Sequence, residues 1–585
     1  MLAALAHRGL DGQNLYHHGP IAMGCQHFWT TAEEVGEYQP VASPCKQVFI
    51  VFDGRLDNRA ELTGKLVHNI SIDPDCSDAT LVLLAYHRWG EQCAEHLLGP
   101  FAFVIYDEAK QSLLCGRDPL GQRTLFYQES RGQVLIASEE CALLANPLCS
   151  SQLNSSRLSS YFALLAPQAG ETFFQDITEL PPAHTMLVAR EHTRQRAYWK
   201  SRLEALPANL GNDYYAERFL EILNSSVTAC MRARSAPGST LSGGMDSSPV
   251  AALAAAQLRS QNQKLNTYSW VFDELTECDE SHYIRLCEQH LNSEPHWLAG
   301  DDCWPMHYPD IWPYSPSSPE SNIFRHLKQR LYHRVAENGQ RVLLSSASGD
   351  IHYSVMTGWL RSNLQYQGMG AAIRATYGIY QHWGLKACCR SLATATGLHR
   401  PSTPSPRHYH WMNPVAAATA TAIDEQKSAP AQALRPAQYT QLLASNPANG
   451  MAREDYYASR SGIELRDPYL DLRLVEFMLS LPDHQLYGPD GFKQIARHAS
   501  KGLLPDEIRL RPQSTSLSAL AKKGFEQVDY RSMQNLKPHE ADFMAQYINM
   551  DWLADIVDNK PISEGDMLAF WQVFAFRLWL TNTKL

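Results

Sequence analysis

Long apolar runs are scarce in this 585-residue chain. The strongest, around Pro249 to Leu258, is too short to cross a bilayer as a helix, so no membrane partner is expected. The opening MLAALAHRGLDG has no apolar core of the length a secretory leader needs. Charge of one sign is also limited: the formal net charge is −10 and only 19% of residues are charged. That balance argues against broad binding of nucleic acid or anionic lipid. The thirteen cysteines show no repeating metal-site spacing, and the adjacent Cys388 and Cys389 are unsuited to simple chelation. They read as reduced thiols in a cytoplasmic compartment. The histidines form no HExxH or triad-like arrangement, and no internal repeat of fixed period is evident.

What the chain does have is length and texture for two domains. Up to about residue 203, apolar and β-branched runs such as FIVFDGRLDN, PFAFVIYDE and SLLCGRDPLG each end in Asp, Asn or Gly, as short strands do. From about 212, apolar residues recur at helical spacing, as in YYAERFLEILNSSV and YLDLRLVEFMLSL. SRLEALPANLGND lies between the two textures and reads as a linker. The Ala- and Pro-rich stretch at 414–437 reads as a mobile insertion within the second domain. DDCWPMHYPDIWPY, at 301–314, reads as a packed loop.

The chemistry concentrates in LSGGMDSSPVAAL, residues 241–253. Gly243 and Gly244 allow positive φ and a close approach of backbone to ligand. Asp246 and Ser247 are good N-cap types, Pro249 suits a first helical turn, and VAALAAAQL is made of helix formers. Free N–H groups and the positive end of the helix dipole then face the glycine turn, which suits an oligophosphate. The stretch is neither the dinucleotide fingerprint nor the Walker loop, because the third glycine and the Gly-Lys-Ser/Thr ending are missing. It is the SGGxDS pattern of enzymes that cleave ATP between the α and β phosphates. One local feature runs against it: the preceding ARSAPGST is a poor strand where a buried apolar one is expected.

Across nearly the whole chain, the order of segments resembles the asparagine synthetase family. HRGLDG at 7–12 is similar to the family's HRGPDG, and FDGRLDNRAEL at 52–62 to its FNGEIYNYREL. CSDATLVLLAYHRWG, GRDPLGQRTLFY and ELPPAH…RAYW follow in family order. In the second half, TYSWVFDE, CDESHYIRLC, RVLLSSASGDIHY at 341–353, RDPYLDLRLVEFMLSLP, GFKQIAR and LLPDEIRLRP do the same. The resemblance implies a two-domain α/β protein. An N-terminal-nucleophile-type α/β/β/α sandwich (1–203) would precede an adenine-nucleotide α-hydrolase-like parallel-sheet synthetase domain (212–585). It further implies ATP and Mg²⁺, with Leu241, Ser242, Gly243, Gly244, Asp246, Ser247, Ser248, Ser269, Val271, Ser346 and Gly349 at the nucleotide. Asp246 and Asp350 would be the catalytic residues and the metal ligands, and Arg8, Asp53, Gly54 and Asp78 would mark the glutaminase-like remnant.

The departures from the family are as informative as the matches. The family's nucleophilic cysteine precedes HRGPDG, whereas here Cys25 and Cys45 follow the motif and cannot stand in, so either the start has been placed too late or the glutaminase domain is inactive. Asp53 stands where the family has an oxyanion-hole asparagine, and an ionised carboxylate cannot donate a hydrogen bond. Ala347 replaces a glutamate thought to serve near the incoming ammonia. The family's late lysine after an Arg-Pro pair is Gln513 or Ser514 here. Lys493, Lys522 or Lys523 are the cations that could reach in, though a solvated surface is the expected place of each. Together these changes resemble the specialised branch of the family, the lasso-peptide macrolactam cyclases and related amide ligases. The implied substrate is a small-molecule or peptide carboxylate, with a precursor peptide and pathway proteins as partners. Two alternatives stand beside this reading: a glutamine-hydrolysing asparagine synthase, and a non-catalytic ATP-binding partner.

Overall fold

The computed structural model describes the chain apart from residues 68–71, 131, 191, 202, 308, 310–311, 354–358, 396–408, 427–434, 440–441, 443–446, 513, 528–532, 534–535, 559–561 and 584–585. Strands β1 (Gly12–His18) and β2 (Ile21–His27) form an antiparallel hairpin. β3 (Val41–Ala42), β4 (Val48–Gly54), β5 (Phe101–Asp107) and β6 (Ser112–Arg117) follow, with β10 (His184–Val188) and β11 (Thr193–Ala197) later in the chain. These last six make one antiparallel sheet in the order β11–β10–β6–β5–β4–β3. β7 (Phe126–Ser130), β8 (Gln133–Ala137) and β9 (Thr178–Glu179) make a smaller one.

Every residue of β5 is buried, so both faces of its sheet must be covered. Alternation of side chains explains how. Phe101, Phe103 and Ile105 pack with Ile50 and Phe52 against helices α1 (Arg59–Leu66) and α2 (Asp78–Trp89), through Leu62, Leu81, Val82 and Ala85. Ala102 and Val104 face the other way and meet Tyr127 and Ile136 of the smaller sheet. That sheet's outer side packs Phe126, Leu135 and Ala137 on α3 (Glu140–Leu144) and α4 (Ser155–Phe162), through Leu143, Leu158 and Phe162. The result is the α/β/β/α layering that the resemblance implies.

The second half begins with α5 (Asn212–Met231), whose Tyr215, Phe219, Ile222, Leu223 and Val227 form one buried stripe. A five-stranded parallel sheet follows: β12 (Gly238–Thr240), β13 (Asn266–Val271), β14 (Glu294–Ala299), β15 (Val342–Leu344) and β16 (Glu464–Arg466). Its order is β14–β13–β12–β15–β16. Helices α6 (Ser247–Ser260), α7 (Ser281–Leu291) and α8 (Arg325–Glu337) make the crossovers. The poor apolar content before residue 241 has a packing cause. A Cβ at Gly238 would come within 2.7 Å of the Tyr268 ring and 2.8 Å of Gln340 Oε1, so the central strand must be small.

One expectation needs correction. The first part of the supposed mobile insertion is a helix, Pro414–Gln426, held by buried Ala416, Ala420 and Ile423 at helical spacing; residues 427–434 lie outside the described residues. The C-terminal segment packs on the N-terminal domain. Trp571, Phe574, Phe576 and Trp579 share one core with Tyr161 and Phe162 of α4. Fully burying such a side chain is worth about 1.5–3 kcal/mol. In the 301–314 loop, Cys303 and Met306 are buried as expected of packed chain, while residues 308, 310 and 311 lie outside the described residues. Among the described residues no helix is long and apolar enough to cross a membrane, and the thirteen cysteines are free thiols.

Candidate functional site

In a doubly wound parallel sheet, the ligand crevice opens beyond the carboxyl ends of the strands where the winding reverses. Here β13 and β14 are added on one side of β12, and β15 and β16 on the other. The reversal therefore flanks β12, and the chain leaving β12 is the glycine turn 241–246. Gly243 has φ +68°, and a Cβ there would sit 2.6 Å from Tyr283 Cβ, so no other residue fits without strain. Inside the turn, Ser242 N–H donates to Ser247 Oγ at 3.0 Å, Gly244 N–H to Ser242 Oγ at 3.3 Å, and Ser248 N–H to Gly244 O at 3.0 Å. These bonds hold the turn's shape. They also engage the Gly244 amide within the turn.

The turn after β15 supplies the facing residues. Gly349 packs so closely that a Cβ would lie 2.8 Å from Asp246 Cγ. Asp467 accepts from Ser348 N–H at 2.9 Å and Tyr469 N–H at 3.0 Å, which fastens this turn to the chain after β16. Tyr469 Oη in turn donates to Asp246 O at 3.1 Å, and burial holds the neighbouring His352 imidazole neutral, its pKa down at about 4. Asp246 and Asp350 are thus brought together, as the resemblance implies.

Between them stands Lys493, whose ammonium donates to Asp246 Oδ2 and, at 2.6 Å, to Asp350 Oδ1. It follows the small hairpin Tyr487–Gly488/Gly491–Phe492 and adopts φ +61°, a left-handed conformation that costs a non-glycine residue roughly 1–2 kcal/mol. Its side chain is only 16% exposed, so the solvated surface position expected of it is not where it lies. Burial pushes the Asp246 carboxyl up to about 6 despite the lysine, and its Oδ1 is buried with no hydrogen-bond partner in the structure. An orphaned, buried carboxylate oxygen beside a second carboxylate is a donor set that fits a divalent cation shared with phosphate oxygens. Asp246 and Asp350 would hold Mg²⁺, which supplies charge neutralisation when bound. Among the described residues no larger cluster of metal-ligating side chains exists.

Other expected residues fall in different places. Leu241 is 2% exposed and belongs to the core; it joins the crevice only through its backbone, donating to Tyr268 O at 2.9 Å. Ser248 is fully buried with its hydroxyl 3.4 Å from Cys287 Sγ, turned into the helix packing. Ser269 is buried with its hydroxyl unpartnered, and Val271 is half-buried at the end of β13. Ser346 is half-buried and accepts from Gly349 N–H at 3.1 Å, while Ala347 is exposed at the mouth. The late Arg-Pro segment is tied over α7 by Arg511, 2.7 Å from Glu280, and by Thr515 on the same carboxylate. Gln513 lies outside the described residues. Lys522 is exposed and Lys523 donates to Asp301 O, so neither stands at the turn.

The glutaminase-like remnant is a second pocket, of about 930 Å3 counted to its open mouth, between the two domains. Gly54 has φ +143° and lies so close to Pro100 O that a Cβ would be 2.1 Å away. Asp78 is a fastener: it accepts from Leu56 N–H at 2.8 Å and pairs with Arg59 and Arg232. Arg8 pairs with Glu139 and reaches Asp455 at 3.5 Å and Asp53 at 3.7 Å. Arg123 reaches Asp53 at 3.5 Å, Asp455 at 3.2 Å and Glu464 at 2.5 Å. Cys25 lines this pocket, but burial and Asp53 push its thiol up to about 12, which keeps it protonated. Lys493 and the Arg8–Arg123 network are the site residues that sequence reasoning weighed too lightly. The signal for the lysine was a basic residue directly after a Gly-containing turn.

Comparison with known proteins agrees with this layout. Residues 1–199 match the glutamine amidotransferase domain and residues 218–581 match asparagine synthase. The chain is similar to asparagine synthetase (glutamine-hydrolyzing) 3 of Bacillus subtilis (strain 168), at 24% identity over 88% of this chain and 83% of that protein. Asparagine synthetase (glutamine-hydrolyzing) 2 of the same organism is 23% identical over 83% of this chain and 64% of its own length. Among solved structures, an allosteric regulatory enzyme of purine biosynthesis covers 52% of this chain and 77% of its own, at 15% identity and a TM-score of 0.27, too distant a likeness to carry weight. Since the second match alone spans more than half of its residues, the chain belongs to the asparagine synthase family.

Proposed function

We propose that this protein is an ATP-dependent carboxylate–amine ligase, activating a carboxylate as its acyl-adenylate with release of pyrophosphate. The observation that carries the reading is the meeting of Asp246, Asp350 and Lys493 at the sheet's reversal point, around the Gly243 turn. A carboxylate is a poor electrophile until it bears a good leaving group, and departing phosphates need fixed donors and cations. Lys493 and Gly243 N–H supply these here. Lys493 places one cation between Asp246 and Asp350, so loss of the late lysine does not leave these carboxylates without a cation.

The finer part concerns the substrates. Asp53 cannot donate to an oxyanion, and Ala347 offers no carboxylate to an incoming ammonia at the mouth. Both features favour a peptide or specialised carboxylate, with the amine supplied by the substrate itself, as in a lasso-peptide precursor. The names of the relatives favour the other reading, asparagine formation from aspartate. Carboxylate-dependent ATP–pyrophosphate exchange tests both. A peptide or specialised acid that drives exchange where aspartate does not supports the proposal; exchange with aspartate alone sinks the finer part. Nucleotide binding without exchange by any acid would make the chain a non-catalytic partner.

A further inference from the structure

A third opening shares no residue with the phosphate turn and only Arg8 with the glutaminase-like pocket. It is a cleft of about 680 Å3, counted to its open mouth. The N-terminal domain contributes Phe126, Glu140, Arg157 and Phe173; the second domain contributes Ser317 and Arg453.

Arg157 decides what such a cleft can hold. It is 3% exposed, and among the described residues it forms no ion pair. Its Nη1 donates to Ser160 Oγ at 3.0 Å, and its guanidinium lies 4.6 Å from the Phe173 ring. An aromatic face attracts a cation but does not replace a carboxylate. Among the described residues none of the acids nearby forms an ion pair with it. Glu179 pairs with Arg117 at 2.7 Å, Glu139 with Arg8 and His7, and Glu171 accepts from Gln168 N–H at 3.0 Å. Burial pushes the Glu140 carboxyl up to about 8, so at neutral pH it is largely a neutral acid able to donate. Burial likewise draws the Arg157 guanidinium down to about 9; the neighbouring Arg453 charge adds to this, and the Glu171 carboxylate opposes it without forming an ion pair. Arg453 lines the opposite wall, also without an ion pair among the described residues.

We infer that this interdomain cleft binds a small organic carboxylate bearing an apolar or aromatic group, with Arg157 and Arg453 taking the carboxylate and Phe126 and Phe173 receiving the apolar part. Guanidinium groups match a carboxylate in geometry as well as charge. Because each domain supplies one of the arginines, an occupant ties the two together and raises the unfolding temperature.

Calorimetric titration and thermal unfolding of the full chain, with phenylacetate, acetate and inorganic phosphate as probes, test the assignment. Phenylacetate should bind saturably, at least tenfold tighter than acetate, and raise the unfolding temperature. Arg157→Met should weaken it tenfold or more while the free variant unfolds at or above the parent's temperature. Arg453→Gln, on the other wall, should weaken it as well and decides the matter if the first variant does not fold. No saturable binding, binding indifferent to both substitutions, or a free Arg157→Met chain that unfolds well below the parent would overturn the site. Tight phosphate binding without carboxylate binding would overturn the ligand class. Pyrophosphate exchange run on the same samples separates failure here from failure of the ligase reading, since the cleft and the turn share no residue.

Discussion

The two matched halves of the molecule each keep a charged pocket, and the pockets differ in how their charges are matched. Around Arg8 and Arg123, two guanidinium groups face Asp53, Asp455, Glu139 and Glu464, and Arg466 and His7 give Glu464 and Glu139 a further partner each. Around the glycine turn, Asp246 keeps one buried oxygen unpartnered, and a single lysine is divided between two carboxylates. A matched network is stable as it stands and joins domains. A site that keeps a buried carboxylate oxygen unpartnered has room for a further cation, and that is the difference between the two pockets.

The largest effect that would break this contrast is at Asp246. Asp246→Asn should lower kcat/KM for pyrophosphate exchange at least a thousandfold, about 4 kcal/mol of transition-state stabilisation, with unfolding nearly unchanged. Lys493→Met should cost on the order of a hundredfold in the same assay, since one preorganised donor is removed. Equal activity in both variants would mean that the chemistry sits elsewhere.

In the other pocket the loss should appear in stability. Arg123→Met leaves Asp455, 13% exposed, with Arg8 alone and Glu464, 7% exposed, with Arg466 alone, so urea unfolding should register a loss of roughly 2 kcal/mol. The folded fraction should exchange pyrophosphate as before. A collapse of exchange in chain that remains folded would show that the remnant still communicates with the synthetase centre.

Smaller is the response to pH. With the Asp246 carboxyl at about 6, exchange should climb as pH rises through that value, because only the ionised form serves the phosphates and their metal. Lys493→Met should move that limb to higher pH, since the ammonium favours the ionised form. Stability runs the other way. The native state retains a proton that the unfolded chain releases above about pH 4, so this group's contribution falls as pH rises from there to about 6. A limb that stays put in the lysine variant would assign it to another group, such as the buried Asp467, also raised to about 6.

Much of this arrangement was legible in the residues, and what was not has physical causes. The glycine turn follows from local pattern, Gly-Gly before an Ala-rich helix, while the parallel sheet and the layered first domain are what the resemblance to the family implies. Lys493 was not legible, because its approach depends on a hairpin and one left-handed residue bringing residue 493 to residues 246 and 350. Residues 414–426 misled for the opposite reason. Alanine at 416 and 420 resembles low-complexity chain until a partner surface exists to bury it. Arg157, which forms no ion pair among the described residues, was likewise invisible, since that depends on the position of its neighbours and not on its own type.

The smallest effect sharpens the contrast from within the remnant. Asp53 is 33% exposed and meets Arg8 at 3.7 Å and Arg123 at 3.5 Å, beyond hydrogen-bond distance of either. Both arginines have closer carboxylates, so Asp53 adds charge to a network that closes without it. Asp53→Asn should therefore cost less than about 1 kcal/mol in urea unfolding, the scale of a solvent-screened pair. The substitution also puts back an amide able to donate where the carboxylate could only accept. If it costs 2 kcal/mol or more, the carboxylate is part of the domain seam, and its replacement of asparagine stabilises the interface. If the cost is as small as expected, nothing in the structure holds the residue acidic, and the change marks a pocket no longer held to oxyanion chemistry.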